Sequence, residues 1–267
     1  MNYHVIINQG RVADRTDGAL VGARNAGQAL AEHLSTKPTI IGQPSPAAQD
    51  DWRQALDNAN ETLRELAEIT RSVLDDHQIP LLVTNTCAAS IATLPVAAAK
   101  HPEAAFLWID AHGDFNTPDT TASGYLGGMA LAGACGLWDT GHGGTVDPRN
   151  VILIGARDID NDERAMLQNA GVSILAPEHA TPEAVQELVA DRPVWIHVDW
   201  DVLEPGYIPA AYKIPSGLLP RHVAAIFAAL PTESIRGVEL AEFEAGDPNI
   251  PERLSIEFIV ETFQHLT

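Results

Sequence analysis

Ala104-Ala-Phe-Leu-Trp-Ile-Asp-Ala-His-Gly-Asp-Phe-Asn116 decides how this chain reads. An apolar run leads into Asp110, His112 and Asp114, three metal-binding side chains at every second position. On an extended backbone, side chains two apart point the same way, so carboxylate, imidazole and carboxylate can be aimed at one point. A matching run, Val194-Trp-Ile-His-Val-Asp-Trp-Asp201, again ends an apolar strand in alternating carboxylates, Asp199 and Asp201. Four aspartates and a histidine at two strand ends suit a pair of divalent cations.

Outward from these runs, short apolar segments alternate with longer amphipathic ones. Strands are expected at 3–8, 38–42, 80–85, 104–110, 151–156, 172–175, 194–201 and 235–243. Helices are expected at 22–34, 50–76, 91–100, 162–170, 182–191, 220–230 and 252–265. The segment 50–76 spaces Leu56, Leu63, Leu66, Ile69, Val73 and Leu74 at helical intervals. Pro182 and Pro220 read as helix starts, where proline is tolerated. Regular β/α alternation with continuously apolar strands implies a mostly parallel, eight-stranded sheet covered by helices on both faces. One α/β/α domain over 1–267 is the expectation, since no linker or repeat interrupts the pattern. Such sheets bind ligands at the carboxyl ends of their strands, where both aspartate clusters and Cys87 fall. The irregular stretch 116–125 follows the first cluster and reads as a binding loop.

Composition narrows the function. The formal net charge is -20, from 36 acidic and 16 basic residues. That balance argues against nucleic-acid binding, which needs clustered Lys and Arg. Cys87 and Cys135 make no disulfide framework and imply a reducing compartment. No apolar stretch reaches transmembrane length and no signal-peptide pattern opens the chain, so a cytoplasmic protein with a small-molecule partner and no membrane is expected. Carboxylate sites with one imidazole favour Mn²⁺ or Zn²⁺ over Mg²⁺, and paired ions acidify water, so hydrolysis is the expected chemistry.

From about residue 80 onward the sequence resembles the arginase/ureohydrolase family, with an arginase-like fold. The matching stretches are Asp110-Ala-His-Gly-Asp-Phe-Asn-Thr-Pro118, Thr121-Ala-Ser-Gly124, Ile154-Gly-Ala-Arg-Asp-Ile-Asp160, His197-Val-Asp-Trp-Asp-Val-Leu-Glu-Pro205 and Val238-Glu-Leu-Ala-Glu-Phe243. The resemblance implies two manganese ions bridged by Asp110 and Asp199, with His112 and Asp201 completing one ion and Asp114 the other. It implies that Glu242 binds the guanidinium, and that Asn116, Thr121, Ser123, Asp160 and Glu163 hold the amino-acid end of a guanidino substrate. Homo-oligomerisation is left open, because relatives assemble as trimers or hexamers.

Two positions depart from the family. Cys87 stands where a histidine ligand is usual; it reads as a ligand of the Asp114 metal, with simple packing as the alternative. Thiolate is softer than manganese prefers, so that ion is expected to bind more weakly or be partly absent. Gly127 stands where arginases commonly place a proton-shuttling histidine, and such acid catalysis contributes about 10²–10⁴-fold. A less basic guanidine fits both departures. The pattern is most like the hydroxyarginine hydrolases of antibiotic pathways, which release hydroxyurea and ornithine. In that reading Asp114 hydrogen-bonds the attacking water, and the tetrahedral carbon collapses to a urea-type product and an amine.

The alternatives are another ureohydrolase (an arginase, agmatinase or formiminoglutamase), a catalytically silent regulatory member, or a metal-dependent deacetylase on a related scaffold. His197 reads as core packing, with a place behind the ligands as the alternative. Trp108 and Trp200 are expected to face away from the metals. The histidines at 4, 33, 77, 101, 142, 179, 222 and 265 read as surface or capping groups.

Overall fold

A computed structural model describes residues 2–267. Eight strands form one sheet: β1 Tyr3–Asn8, β2 Thr39–Ile41, β3 Ile79–Val83, β4 Ala105–Ile109, β5 Val151–Ile154, β6 Ser173–Leu175, β7 Val194–Asp199 and β8 Ile235–Ala241. Their order is β2-β1-β3-β8-β7-β4-β5-β6, and each pairing is parallel, so the sheet is wholly rather than mostly parallel. The helices are α1 Gly18–His33, α2 Trp52–Asp75, α3 Ser90–Lys100, α4 Ala130–Ala134, α5 Asn161–Ala170, α6 Pro182–Val189, α7 Pro220–Ala229 and α8 Glu252–Phe263.

The alternation of strand side chains divides the core in two. Phe106 and Trp108 of β4 join the layer that holds α2, α3, α4 and Leu167 of α5. Ala105, Leu107 and Ile109 join the opposite layer with α1, α6, α7 and α8. Both faces are covered, which is why β4 and β7 are buried along their whole length. On α2 the buried stripe runs Ala55, Ala59, Leu63, Leu66, Thr70 and Val73, while Leu56 and Ile69 lie only partly buried at its margin.

Local chemistry sets the helix ends. Asp51 caps α2 by accepting from the Gln54 N–H, and Asp160 caps α5 by accepting from the Glu163 N–H. Thr181 caps α6 ahead of Pro182 at its first position. Two features differ from the sequence reading. α1 begins at Gly18, four residues earlier than expected, and α4 is an additional short helix. Every residue of α4 is buried, so it shows none of the polar periodicity by which a surface helix is recognised.

Four neighbouring strands, β3, β8, β7 and β4, deliver Cys87, Glu242, Asp199 and Asp110 to one sheet edge. β8 pairs with β3 on one side and with β7 on the other. Among the described residues no helix is long and apolar enough to cross a membrane.

Candidate metal centre and substrate cavity

Asp110 follows β4 directly and is wholly buried. Burying an ionised carboxylate costs more than a neighbouring apolar side chain returns, so it needs partners. It accepts from the His112 N–H at 2.7 Å and from the Trp108 indole N–H at 3.0 Å. His112 Nδ1 lies 3.0 Å from Asp201 Oδ2 and 3.4 Å from Asp110 Oδ1. Ligand atoms of Asp110, His112 and Asp201 all fall within 4.8 Å of one another, so the expected trio does converge.

A second convergence centres on Cys87, which opens a single 3₁₀ turn after β3. Its sulfur is 3.2 Å from Asp199 Oδ2 and 4.0 Å from Asp110 Oδ2, and its N–H donates to Glu242 at 3.0 Å. Cys87 groups with Asp199 and Glu242, and also with Asp110 and His197. Asp114 is in none of these three-residue groups, although it is buried and lines the same cavity as Cys87, His112 and Asp199. Asp114 and Glu242 both have left-handed backbones, with φ of 49° and 63°. Such conformations in non-glycine residues concentrate at functional sites.

Electrostatics indicate what the cluster is suited to hold. Burial, then the neighbouring carboxylates, push Asp199 and Asp114 well above the usual carboxylate range. Burial does the same to Glu242. Burial would also raise Asp110, but hydrogen bonding and charge from His112 outweigh it and hold that group low. Burial opposes protonation of His112, yet Asp110 and Asp201 drive its pKa up. The Cys87 thiol is pushed up by burial and then by the surrounding acids. Asp201 Oδ2, though beside His112, is a buried oxygen with no properly directed hydrogen bond. An orphaned carboxylate oxygen among crowded acids fits a site built for cations. The donor set of carboxylates and imidazole, with one thiol, fits a divalent transition ion.

A cavity of about 280 Å³ opens over this cluster, near the small end of ligand pockets. Asn116, Ser123, Asp160 and Glu163 line it with Cys87, His112, Asp114, Asp199 and Glu242. Thr121 does not line it; its hydroxyl accepts from the Gly124 N–H at 3.1 Å and shapes the loop. Glu163 is buried, accepts from the Phe115 N–H at 2.8 Å, and is pushed up to about 7, chiefly by burial. Tyr125, Gly127, Gly128, Asp158 and Tyr212 line the cavity as well, beyond the residues expected from sequence. Tyr212 comes from an irregular stretch whose sequence has no motif to flag it.

Two expectations need correction. His197 is not simple packing: Nε2 lies 3.3 Å from the Cys87 sulfur, and Nδ1 lies 2.9 Å from Glu239 and 3.1 Å from the Ser90 hydroxyl. Trp108 does not face away. It stands two positions before Asp110, hence on the same side, and stacks on His197 at 3.7 Å besides donating to Asp110. The pairing of Trp108 with His197 between β4 and β7 puts the rings side by side. Trp200 does pack in the opposite layer.

The profile of the arginase family matches residues 14–263. The N(omega)-hydroxy-L-arginine amidinohydrolase of Streptomyces lavendulae is 52% identical over 241 residues, covering 90% of this chain and 88% of that protein. The arginase of Bacillus subtilis (strain 168) is 30% identical over 173 residues, 58% of each chain. The crystal structure of arginase from Bacillus cereus superposes with a TM-score of 0.85 over 99% of this chain and 97% of that one; at 22% identity the likeness is one of fold.

Proposed function

Because the chain belongs to the arginase family, we propose that it is a manganese-dependent amidinohydrolase converting N(omega)-hydroxy-L-arginine to hydroxyurea and L-ornithine. The observation that carries this reading is the convergence of Asp110, His112 and Asp201, and of Cys87, Asp199 and Glu242, with His112, Cys87, Asp199 and Glu242 lining one cavity. The substrate is supported by the half-identical Streptomyces lavendulae relative, whose name states that activity.

Asp110, His112, Asp199 and Asp201 would hold one ion, and Asp110, Asp199, Asp114 and Cys87 the other. Bound ions of this class supply Lewis acidity that lets water act as a nucleophile near neutral pH. The chain's own residues do the rest. Glu242 orients the planar guanidino group through parallel hydrogen bonds. Asp114, buried at the same cavity, accepts a hydrogen bond from the attacking water. Asn116, Ser123, Asp160 and Glu163 hold the α-amino and α-carboxylate groups from the other cavity residues. Thr121 supports them by fixing the loop at Gly124. Attack on the central carbon and cleavage of its bond to the side-chain nitrogen then release the amine. The electron-withdrawing hydroxyl makes this guanidine less basic, which suits a site with no side chain at Gly127.

Burial and four neighbouring acids keep the Cys87 thiol protonated in the metal-free protein; a cation there reverses the balance. Soft sulfur should make that ion the weaker of the two. The free cysteines suit a cytoplasmic setting. The test is turnover of arginine, N(omega)-hydroxy-L-arginine, agmatine and formiminoglutamate by Mn²⁺-loaded protein, with metal content measured after dialysis. Hydroxyurea release at the highest kcat/KM is expected. A wide preference for arginine would reject the substrate. Protein that retains no metal after dialysis and releases no product from any guanidine even with Mn²⁺ supplied would reject the enzyme.

A further inference from the structure

Gly127 lacks a side chain, and the volume one would occupy is already filled. A Cβ built there would meet Tyr125 Cε1 at 2.4 Å and Cζ, the carbon bearing the hydroxyl, at 2.8 Å. Real Cβ contacts essentially never fall below 3.0 Å. The ring is also held from other sides. The Arg15 guanidinium carbon lies 4.4 Å from its centroid, and the Tyr212 ring centroid lies 6.3 Å away. Tyr125 lines the same cavity as Gly127, Cys87, Asp199 and Glu242. Among the described residues its hydroxyl makes no protein hydrogen bond; the residue's one side-chain-directed bond is from its backbone N–H to Ser123 Oγ at 3.2 Å. Burial, followed by the charges of Glu242 and Cys87, keeps the phenol protonated and thus a donor.

A protonated hydroxyl with no protein partner, on a partly buried ring lining the same cavity as Glu242, is a donor available to a bound ligand. We propose that Tyr125 is a substrate contact whose hydroxyl donates to the oxygen of an N-hydroxyguanidine, and so selects it over a plain guanidine. The proposal rests on the hydrolytic reading above for the ligand's identity. It goes further by naming the residue that tells the two guanidines apart. Plain arginine offers no acceptor there, because its terminal nitrogens are donors. Gly127 is the companion requirement, since any side chain would displace the ring.

The experiment is calorimetric titration of Mn²⁺-loaded wild type, Tyr125→Phe and Gly127→Ala with N(omega)-hydroxy-L-arginine and with L-arginine. The wild type is expected to prefer the hydroxylated ligand. Tyr125→Phe should reduce that preference about tenfold, the worth of one hydrogen bond, by weakening the hydroxylated ligand alone. Gly127→Ala should act in the same direction. Should Gly127→Ala fail to fold, the near-isosteric Phe variant still decides. A preference unchanged in Tyr125→Phe, or both ligands weakened equally, overturns the proposal, as does a wild type with no preference. Failure of the hydrolytic reading looks different: no hydroxyurea from the wild type, whatever the binding ratios.

Discussion

Glu239→Gln tests whether the buried groups behind Cys87 tune the centre. Glu239 is buried on β8 and accepts from Ser90 Oγ at 2.5 Å and from Thr93 Oγ1, and it pairs with His197 Nδ1 at 2.9 Å. Hydrogen bonds to a charged group are worth about 1.5–3 kcal/mol, against about 0.5–1.5 for neutral pairs. Removing the charge should therefore cost about 1 kcal/mol per bond, or about 3 kcal/mol for three. Unfolding entropy of about 2.1 cal/mol/K per residue over 267 residues gives about 0.56 kcal/mol/K. The metal-free Tm should then fall by about 5 °C. An amide nitrogen facing His197 Nδ1 also drives the ring proton to Nε2, toward the Cys87 sulfur 3.3 Å away. Groups supporting a ligand typically change metal affinity by about 10–100-fold. Scanning calorimetry in chelator and Mn²⁺ content after dialysis read the two effects separately. Ser90→Ala, which removes one bond to the charged carboxylate outright, should cost about 1.5–3 kcal/mol and lower the metal-free Tm by about 3–5 °C. A metal-free Tm within about 1 °C of wild type, with unchanged Mn²⁺ retention, would refute the reasoning.

Three further outcomes are expected. Asp201→Asn removes charge from the orphaned oxygen beside His112, so Mn²⁺ content should drop and hydroxyurea release should fall by more than about 100-fold. Burial raises Asp14 to about 6 and Glu163 to about 7, above their unfolded values of 3.8 and 4.5. Their stabilisation is complete below those unfolded values and is lost as pH climbs through 6 and 7, so metal-free Tm should decline from pH 5 to 8. Thermal melts with and without Mn²⁺ check this, and loading should flatten the decline. Gly22→Ala would bring a Cβ to 1.8 Å from the Phe243 carbonyl oxygen. Overpacking of about 1–3 kcal/mol should exceed the helix-propensity gain of about 1 kcal/mol. Because Phe243 follows Glu242, KM should rise as Tm falls; a rise in Tm would contradict the clash.

The sheet was legible because its strands are buried on both faces and interrupted by turn chemistry, and the alternating acids fixed which ends bear the centre. Asp110, His112 and Asp201 were readable for that reason: their parity puts them on one side. The same parity applied correctly would have placed Trp108 beside Asp110. His197 was harder, since its meaning depends on which strand lies beside β7, and only the register with β4 brings it to Trp108. Tyr125 and Tyr212 were out of reach, because irregular backbone has no period to project side chains from. Thr121 shows the converse: a motif residue whose hydroxyl serves its own loop.

The position of β8 has a consequence for how the molecule comes to exist. The last of the eight strands in chain order is the wedge between β3 and β7; without it the ladder is two separate pieces, β2-β1-β3 and β7-β4-β5-β6. Cys87 belongs to one piece and Asp110, His112, Asp199 and Asp201 to the other. A nascent chain can assemble either half early, yet its two groups of ligands meet only when some 150 residues of intervening chain have been closed over by β8, a long-range step of the kind that slows folding. Competence to capture a second ion should therefore arrive with the final cooperative event, after most of the helices have formed.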